Sequence, residues 1–203
     1  MAGGKIKFSV TVFGTKMVWQ PVVFDPLKAA TSAKASAELV DYWLATGKLP
    51  PELVTGHQLI DFEHSFLISI IADLRRVCKD YTGLRDCVSC GEDQQRRCEG
   101  QVVGMLGDLF AFILEHFKTE EAVMRDSLLL LIDRDVCQAH MEDHAAISSA
   151  VHKIVSSLDT QHVVSRIREL DTVLVCWLSN HTALHDQLLV RWVSRVDSPT
   201  RDW

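Results

Sequence analysis

The chain lacks the marks of several large protein classes. It has no block of like charges, and its formal charge of −6 is spread over 203 residues. Without a basic stripe or tail there is no electrostatic footprint for nucleic acid or for an anionic membrane, so neither partner is expected. Long hydrophobic runs are missing as well. Leu128 to Ile132 is unbroken apolar sequence but far short of the ~20 residues a spanning helix needs. No such run follows Met1 to Gly4, which excludes a secretory signal and makes the cytoplasm the expected compartment. Internal repeats and low-complexity tracts are also missing.

Against these absences stand an ordinary apolar fraction of 47%, six cysteines and nine histidines. A chain of this length can bury a core without staples. In a reducing compartment six cysteines suggest free, redox-active or metal-bound thiols rather than a disulfide framework.

Residues 1–50 read as an extension. Ile6, Phe8, Val10 and Val12 alternate with polar residues, a strand pattern, and Gly14-Thr15 is a turn signal. A second strand is expected over Val18 to Phe24. Asp25-Pro26 then offers an N-cap and a first-turn proline for a helix striped by Leu27, Ala30, Ala37, Val40 and Trp43-Leu44 and ended by Gly47 and Pro50-Pro51. A hairpin and one helix make a poor core alone, so this segment should pack on the remainder, on a second copy in a homodimer, or on a regulatory partner.

From residue 57 helical periodicity dominates. Four helices are expected, at about 57–80, 100–126, 133–158 and 161–195, with short links near 127–132 and 159–160. Short links make antiparallel neighbours, hence an all-α, up-down-up-down four-helix bundle over 57–195. The connection between the first two helices, about 20 residues, is long for a compact domain. It carries Cys87, Cys90 and Cys98, with Cys78 just before it.

Four histidine patterns lie on these helices: His64 after Ile60-Asp61-Phe62-Glu63, His116 and Glu120, His140 and His144, and His181 and Asp186. A spacing of four puts two side chains on one helix face, one turn apart, the way a helix offers two ligands to a bundle core. In an up-down-up-down bundle the early residues of helices one and three lie level with late residues of helices two and four. All seven side chains can then meet at one level. Imidazole with carboxylate suits iron, zinc or manganese, and seven donors are too many for one metal. Two carboxylates can each bridge a pair. One metal would then hold three histidines, the other two, leaving the second with an open position.

Together these motifs resemble the bacterial hemerythrin family, over about residues 57–192. The resemblance implies a non-haem diiron centre with an oxo or hydroxo bridge that binds dioxygen reversibly. By that likeness His140, His144 and His181 hold the closed iron, His64 and His116 hold the open one, and Glu120 and Asp186 bridge. The chain departs from the family pattern in Glu63, where glutamine or aspartate is common, in its longer cysteine-bearing connector, in a longer stretch from Glu120 to His140, and in its N-terminal extension. A spacing of five turns about 140° around a regular α-helix, so His181 and Asp186 should diverge and His185 would be the better partner. Since the resemblance selects Asp186, a π-type widening is expected near Ala183 to Asp186.

Leu67, Ile71, Ile113, Phe117, Trp177 and Leu178 lie within a turn of these positions. They read as ordinary core, and also as an apolar pocket shielding dioxygen. His57 reads as a helix-start residue, His152 and His162 as surface or helix-end residues, and Glu115 and Glu121 as solvated. Cys137 and Cys176 read as small buried hydrophobes. Cys78, Cys87, Cys90 and Cys98 admit three readings: a four-sulfur zinc site around Cys87-x2-Cys90, a thiol switch, or a chance cluster. They begin about 20 Å along the helix from His64 and should sit at the far end of the bundle.

No general base or substrate cleft is visible in the motifs. The expectation is an oxygen-binding diiron protein for carriage, storage or sensing rather than an enzyme. A diiron oxidase or peroxidase, or a redox- or oxygen-sensing regulatory module, is the alternative.

Overall fold

The computed structural model describes residues 8–12, 15–19, 38–78, 80, 83–84 and 86–196. The first two segments form an antiparallel hairpin, β1 (Phe8–Val12) with β2 (Thr15–Trp19), Val12 opposite Thr15 and Phe8 opposite Trp19. The second strand thus begins at Thr15, ahead of the Val18 that alternation suggests, because cross-strand register decides the boundary. Residues 20–24 and the expected helix start at Asp25-Pro26 lie outside the described residues.

Helix α1 is described over 38–46 and ends where Gly47 enters the left-handed region, φ 64°, with its N–H bonded to the Trp43 carbonyl at 2.8 Å. Glycine adopts this terminating conformation without a Cβ penalty. Val40 is fully buried in the main core, with Leu39 and Trp43 packed beside it, so α1 belongs to the body of the bundle. A 3-10 turn, Pro51–Leu53, leads into α2 (Gln58–Val77), capped by the His57 ring accepting from the Ile60 N–H. Asp61, in its first turn, accepts from Thr55 and Gly56 and ties down the lead-in.

The rest is helical: α3 (Glu92–Asp126), the short α4 (Leu129–Ile132), α5 (Arg134–Val155), α6 (Val163–His181), a π turn (Thr182–Asp186) and α7 (Gln187–Val196). The last three run on as one rod. Helix α2 packs against α3 and α6, and α5 against α6 and α3, which makes an all-α bundle. No helix among the described residues is long and apolar enough to cross a membrane.

Helix α3 starts at Glu92, well before the expected residue 100. Gln94 to Arg97 are good helix formers but carry no apolar period, and Glu92 and Asp93 suit the positive end of a helix dipole. Cys98 therefore lies on α3 and not in the connector, which shrinks to 78–91.

The core has two parts. The larger includes Ile68, Leu74, Leu109, Ile167 and Leu174, and the smaller comprises Ile60, Met124, Leu129, Cys137 and Leu189. Each fully buried Leu or Ile is worth about 1.5–3 kcal/mol. Along every long rod a candidate ligand falls between the two parts: His64 between Ile60 and Leu67, Glu120 between Phe117 and Met124, His140 between Cys137 and Ile147, and Asp186 between Leu178 and Leu189.

Candidate metal centre

His64 lies in the second turn of α2, His116 and Glu120 late in α3, His140 and His144 early in α5, His181 at the end of α6 and Asp186 at the end of the π turn. None of the seven is more than 3% exposed. Antiparallel packing brings them to one level.

The π turn delivers Asp186. The Gln187 N–H bonds to the Thr182 carbonyl, five residues back, so the hydrogen-bonded loop here holds one more residue than that of an α-helix. His181 and Asp186 then share a face, and Asp186 Oδ1 lies 3.0 Å from His181 Nε2. His185 turns aside: its ring stacks on His140 with centroids 4.9 Å apart and groups with Asp143 and His181.

Each carboxylate faces two ways. Glu120 Oε2 lies 3.1, 2.9 and 3.2 Å from the Nε2 atoms of His140, His144 and His181, while Oε1 lies 3.4 Å from His116 Nε2. Asp186 Oδ1 faces His181, and Oδ2 lies 3.1 Å from His64 Nε2. Glu120 groups with His140, His144 and His181 on one side and with His64 and His116 on the other, both arrangements being candidate metal-binding groups.

Two tests show that the residues fit metal. Donors bonded at about 2.1 Å and about 90° apart on one ion are separated by about 3 Å, and the separations here run from 2.9 to 3.4 Å, with His140 Nε2 to Asp186 Oδ1 longer at 3.8 Å. Close as they are, His64 Nε2, His116 Nε2, Glu120 Oε1 and both Asp186 oxygens make no hydrogen bond. His140 Nε2 and His181 Nε2 face each other at 3.1 Å, where only one can donate. Buried polar atoms left this way cost about 1–3 kcal/mol each, and a shared cation removes the cost.

The outward ring nitrogens are held by other groups. His64 Nδ1 meets the Leu53 carbonyl at 3.0 Å, His116 Nδ1 meets Glu63 Oε2 at 2.9 Å, and His181 Nδ1 meets Asp143 Oδ2 at 2.8 Å. Such partners select the tautomer that aims Nε2 inward. Glu63 also accepts from Thr119 Oγ1 at 2.7 Å, and Asp143 from Trp177 Nε1 at 2.7 Å. Sequence reasoning noted Glu63 as a departure and missed Asp143. Each acid directly precedes a histidine, His64 or His144, but serves the histidine of the next helix.

The electrostatics follow from burial against charge. Burial alone would raise the Glu120 carboxyl, but His116, His181, His140 and His144 together hold it well below the usual carboxylate range. Asp186 is brought down to about 2, burial and Glu120 opposing and His181 and His64 prevailing. Burial would lower His181, yet Asp186, Glu120 and Asp143 keep it well above the ordinary imidazole value. Burial prevails at His144, lowered to about 4, and at His185, lowered to about 3 with help from His140 and His181. Two buried carboxylates make this pocket a trap for positive charge.

Leu67, Ile71, Ile113, Phe117, Trp177 and Leu178 are all buried in the larger core. Phe117 stacks on His144, centroids 3.7 Å apart and planes within 6°, and Trp177 stacks on His181 at 4.6 Å. Phe112, which sequence reasoning passed over, stacks on His116 at 5.5 Å. Glu115 is exposed and paired with Lys118, and the half-exposed Glu121 comes no closer than 3.8 Å to His144. His152 and His162 are exposed. Cys137 is fully buried, whereas Cys176, expected in the core, is only half-buried because the face of α6 it occupies is not fully covered. Cys78, Cys87, Cys90 and Cys98 line a separate cavity near the C-terminal end of α2 and the start of α3. No family model, no curated protein and no solved structure matches the chain.

Proposed function

We propose that this chain is a non-haem diiron protein that binds dioxygen reversibly, in the manner of the hemerythrins its motifs resemble. One observation carries the reading: Glu120 and Asp186 each direct one oxygen to the three-histidine group and the other to the His64 side. That is the disposition of two bridging carboxylates between two ions. His140, His144 and His181 would hold one iron, and His64 and His116 the other. Two irons so held would supply a redox pair, with one position left for dioxygen. With three histidines on one side and two on the other, that position would lie on the side of His64 and His116.

The chain's own groups support binding over turnover. Phe112, Phe117 and Trp177 cover the imidazoles with aromatic surface and exclude water from the ligand layer. Glu63 and Asp143 fix ring orientation rather than reaching the centre. The histidine-rich donor set differs from the carboxylate-rich sites of ferritin-like oxidases.

Metal analysis joined to anaerobic and aerobic optical spectra tests the proposal. Two irons per chain, colourless when reduced, coloured in air and bleached again under vacuum, are expected. A purified protein holding zinc alone would overturn it, and sustained consumption of dioxygen would replace it with an oxidase.

A further inference from the structure

We propose that Cys78, Cys87, Cys90 and Cys98 form a second metal site, separate from the histidine layer, for a thiolate-preferring tetrahedral cation of the Zn2+ class that fastens the α2–α3 connector to the end of the bundle. The four cysteines come from three places: the C-terminal cap of α2, the connector, and the second turn of α3. All four line one cavity of about 200 Å³, with Val163, Val164 and Ile167 of α6 closing its inner wall.

Cys87-Val88-Ser89-Cys90 is folded as a turn, the Cys90 N–H bonding to the Cys87 carbonyl at 3.0 Å. Gln95 Nε2 clamps both ends, at 2.7 Å from the Cys87 carbonyl and 3.0 Å from that of Cys90. A Cys-x2-Cys turn presents two sulfurs to one ion, and two more complete a structural zinc set. Two sulfurs already receive N–H donors: Cys87 Sγ from the Val164 backbone at 3.4 Å, and Cys98 Sγ from Gln94 Nε2 at 3.1 Å. N–H groups aimed at sulfur favour the thiolate, the form that binds metal, while burial and the neighbouring cysteines hold the Cys87 thiol above its ordinary range until a cation is there to share the charge.

The connector gives such a site a purpose. The attachments of its described residues include the Cys87 N–H bond to the Gln161 carbonyl at 2.9 Å and an Arg168 hydrogen bond to the Leu84 carbonyl. No three of the sulfurs lie within 4.8 Å of one another, so binding draws them together. The half-buried Cys78 and Cys90 make that movement by side-chain rotation. Each thiol that binds gives its proton to solvent, and no electron is transferred. The same connector with a disulfide would need an oxidant and would leave two of the four sulfurs over.

The test uses the full chain, purified reduced and anaerobically, with Co2+ as the probe. Thiolate-to-cobalt charge transfer gives a near-ultraviolet band that histidine and carboxylate ligands do not produce. We expect that band in the wild type, its displacement by Zn2+, and its loss in Cys87→Ser/Cys90→Ser with iron content unchanged. A wild type without the band, or a variant that keeps it, overturns the proposal. Alkylation of the wild type is the second readout and needs no variant. Zn2+ should protect Cys78 and Cys90 and leave Cys176 as reactive as before. Equal labelling with and without Zn2+, or a disulfide among the four sulfurs, overturns it as well.

Discussion

Asp186 meets His181 at 3.0 Å across five residues because the helix widens to a π turn between them. A π turn is in effect an α-helix with one residue inserted. Deleting Leu184, which is 44% exposed, should convert the stretch to a regular helix with the two ligands four apart, again on one face. Iron content is expected to survive this deletion, while inserting an alanine after Leu184 should abolish it. Loss of iron in both variants, measured by metal analysis, would refute the geometric account.

Glu120 belongs to both candidate metal-binding groups, the one with His140, His144 and His181 and the one with His64 and His116. Glu120→Ala should empty both positions, leaving a small fraction of the wild-type iron. His140→Ala removes a donor from the three-histidine side and should reduce iron less completely. A wild-type metal load in Glu120→Ala would rule out a bridging role.

Glu63 holds His116 through Nδ1 and also binds Thr119. Removing the partner of a metal-bound imidazole typically costs about 10–100-fold in affinity. Glu63→Ala should weaken iron retention against a chelator by that order, and Glu63→Gln, which keeps an acceptor, should lose less. Equal retention in all three proteins would mean that the contact does not orient the ring.

Cys137, one turn before His140 on the same helix, supplies a pH test. It is fully buried, and burial with the nearby Asp133 raises its thiol from 9.0 to about 11. Between those values the unfolded chain gives up a proton that the folded chain keeps, so stability falls as pH rises through the interval. The slope is up to about 1.4 kcal/mol per pH unit. Cys137→Ala should lose less stability from pH 9 to 11 in urea titrations, after paying for its cavity at every pH. Parallel curves would show that this thiol does not contribute.

The candidate ligands were legible because they obey helical spacing and fall at matching heights on antiparallel rods. His116 with Glu120, and His140 with His144, are local facts of the chain. Asp186 is not, since spacing alone favours His185, and a π turn depends on how the later part of the rod must pack. Asp143 escaped notice, and Glu63 was seen only as a departure from the family pattern, because each acts on a neighbouring helix, through contacts 38 and 53 residues apart in sequence. The start of α3 was hidden by four polar residues, Gln94 to Arg97, that propagate a helix without declaring a buried face.

The division of the hydrophobic interior by a stratum of imidazoles and carboxylates bears on how the chain behaves when stripped of metal. Two oily blocks, one around Leu109 and one around Ile60, are then joined across a layer of buried polar groups, several of them unsatisfied. The rods themselves span that layer and keep their backbone bonds. Chelation should therefore leave the far-ultraviolet dichroism nearly intact while the near-ultraviolet signals of Phe112, Phe117 and Trp177 fade, the pattern of a fluid interior inside a standing helical frame.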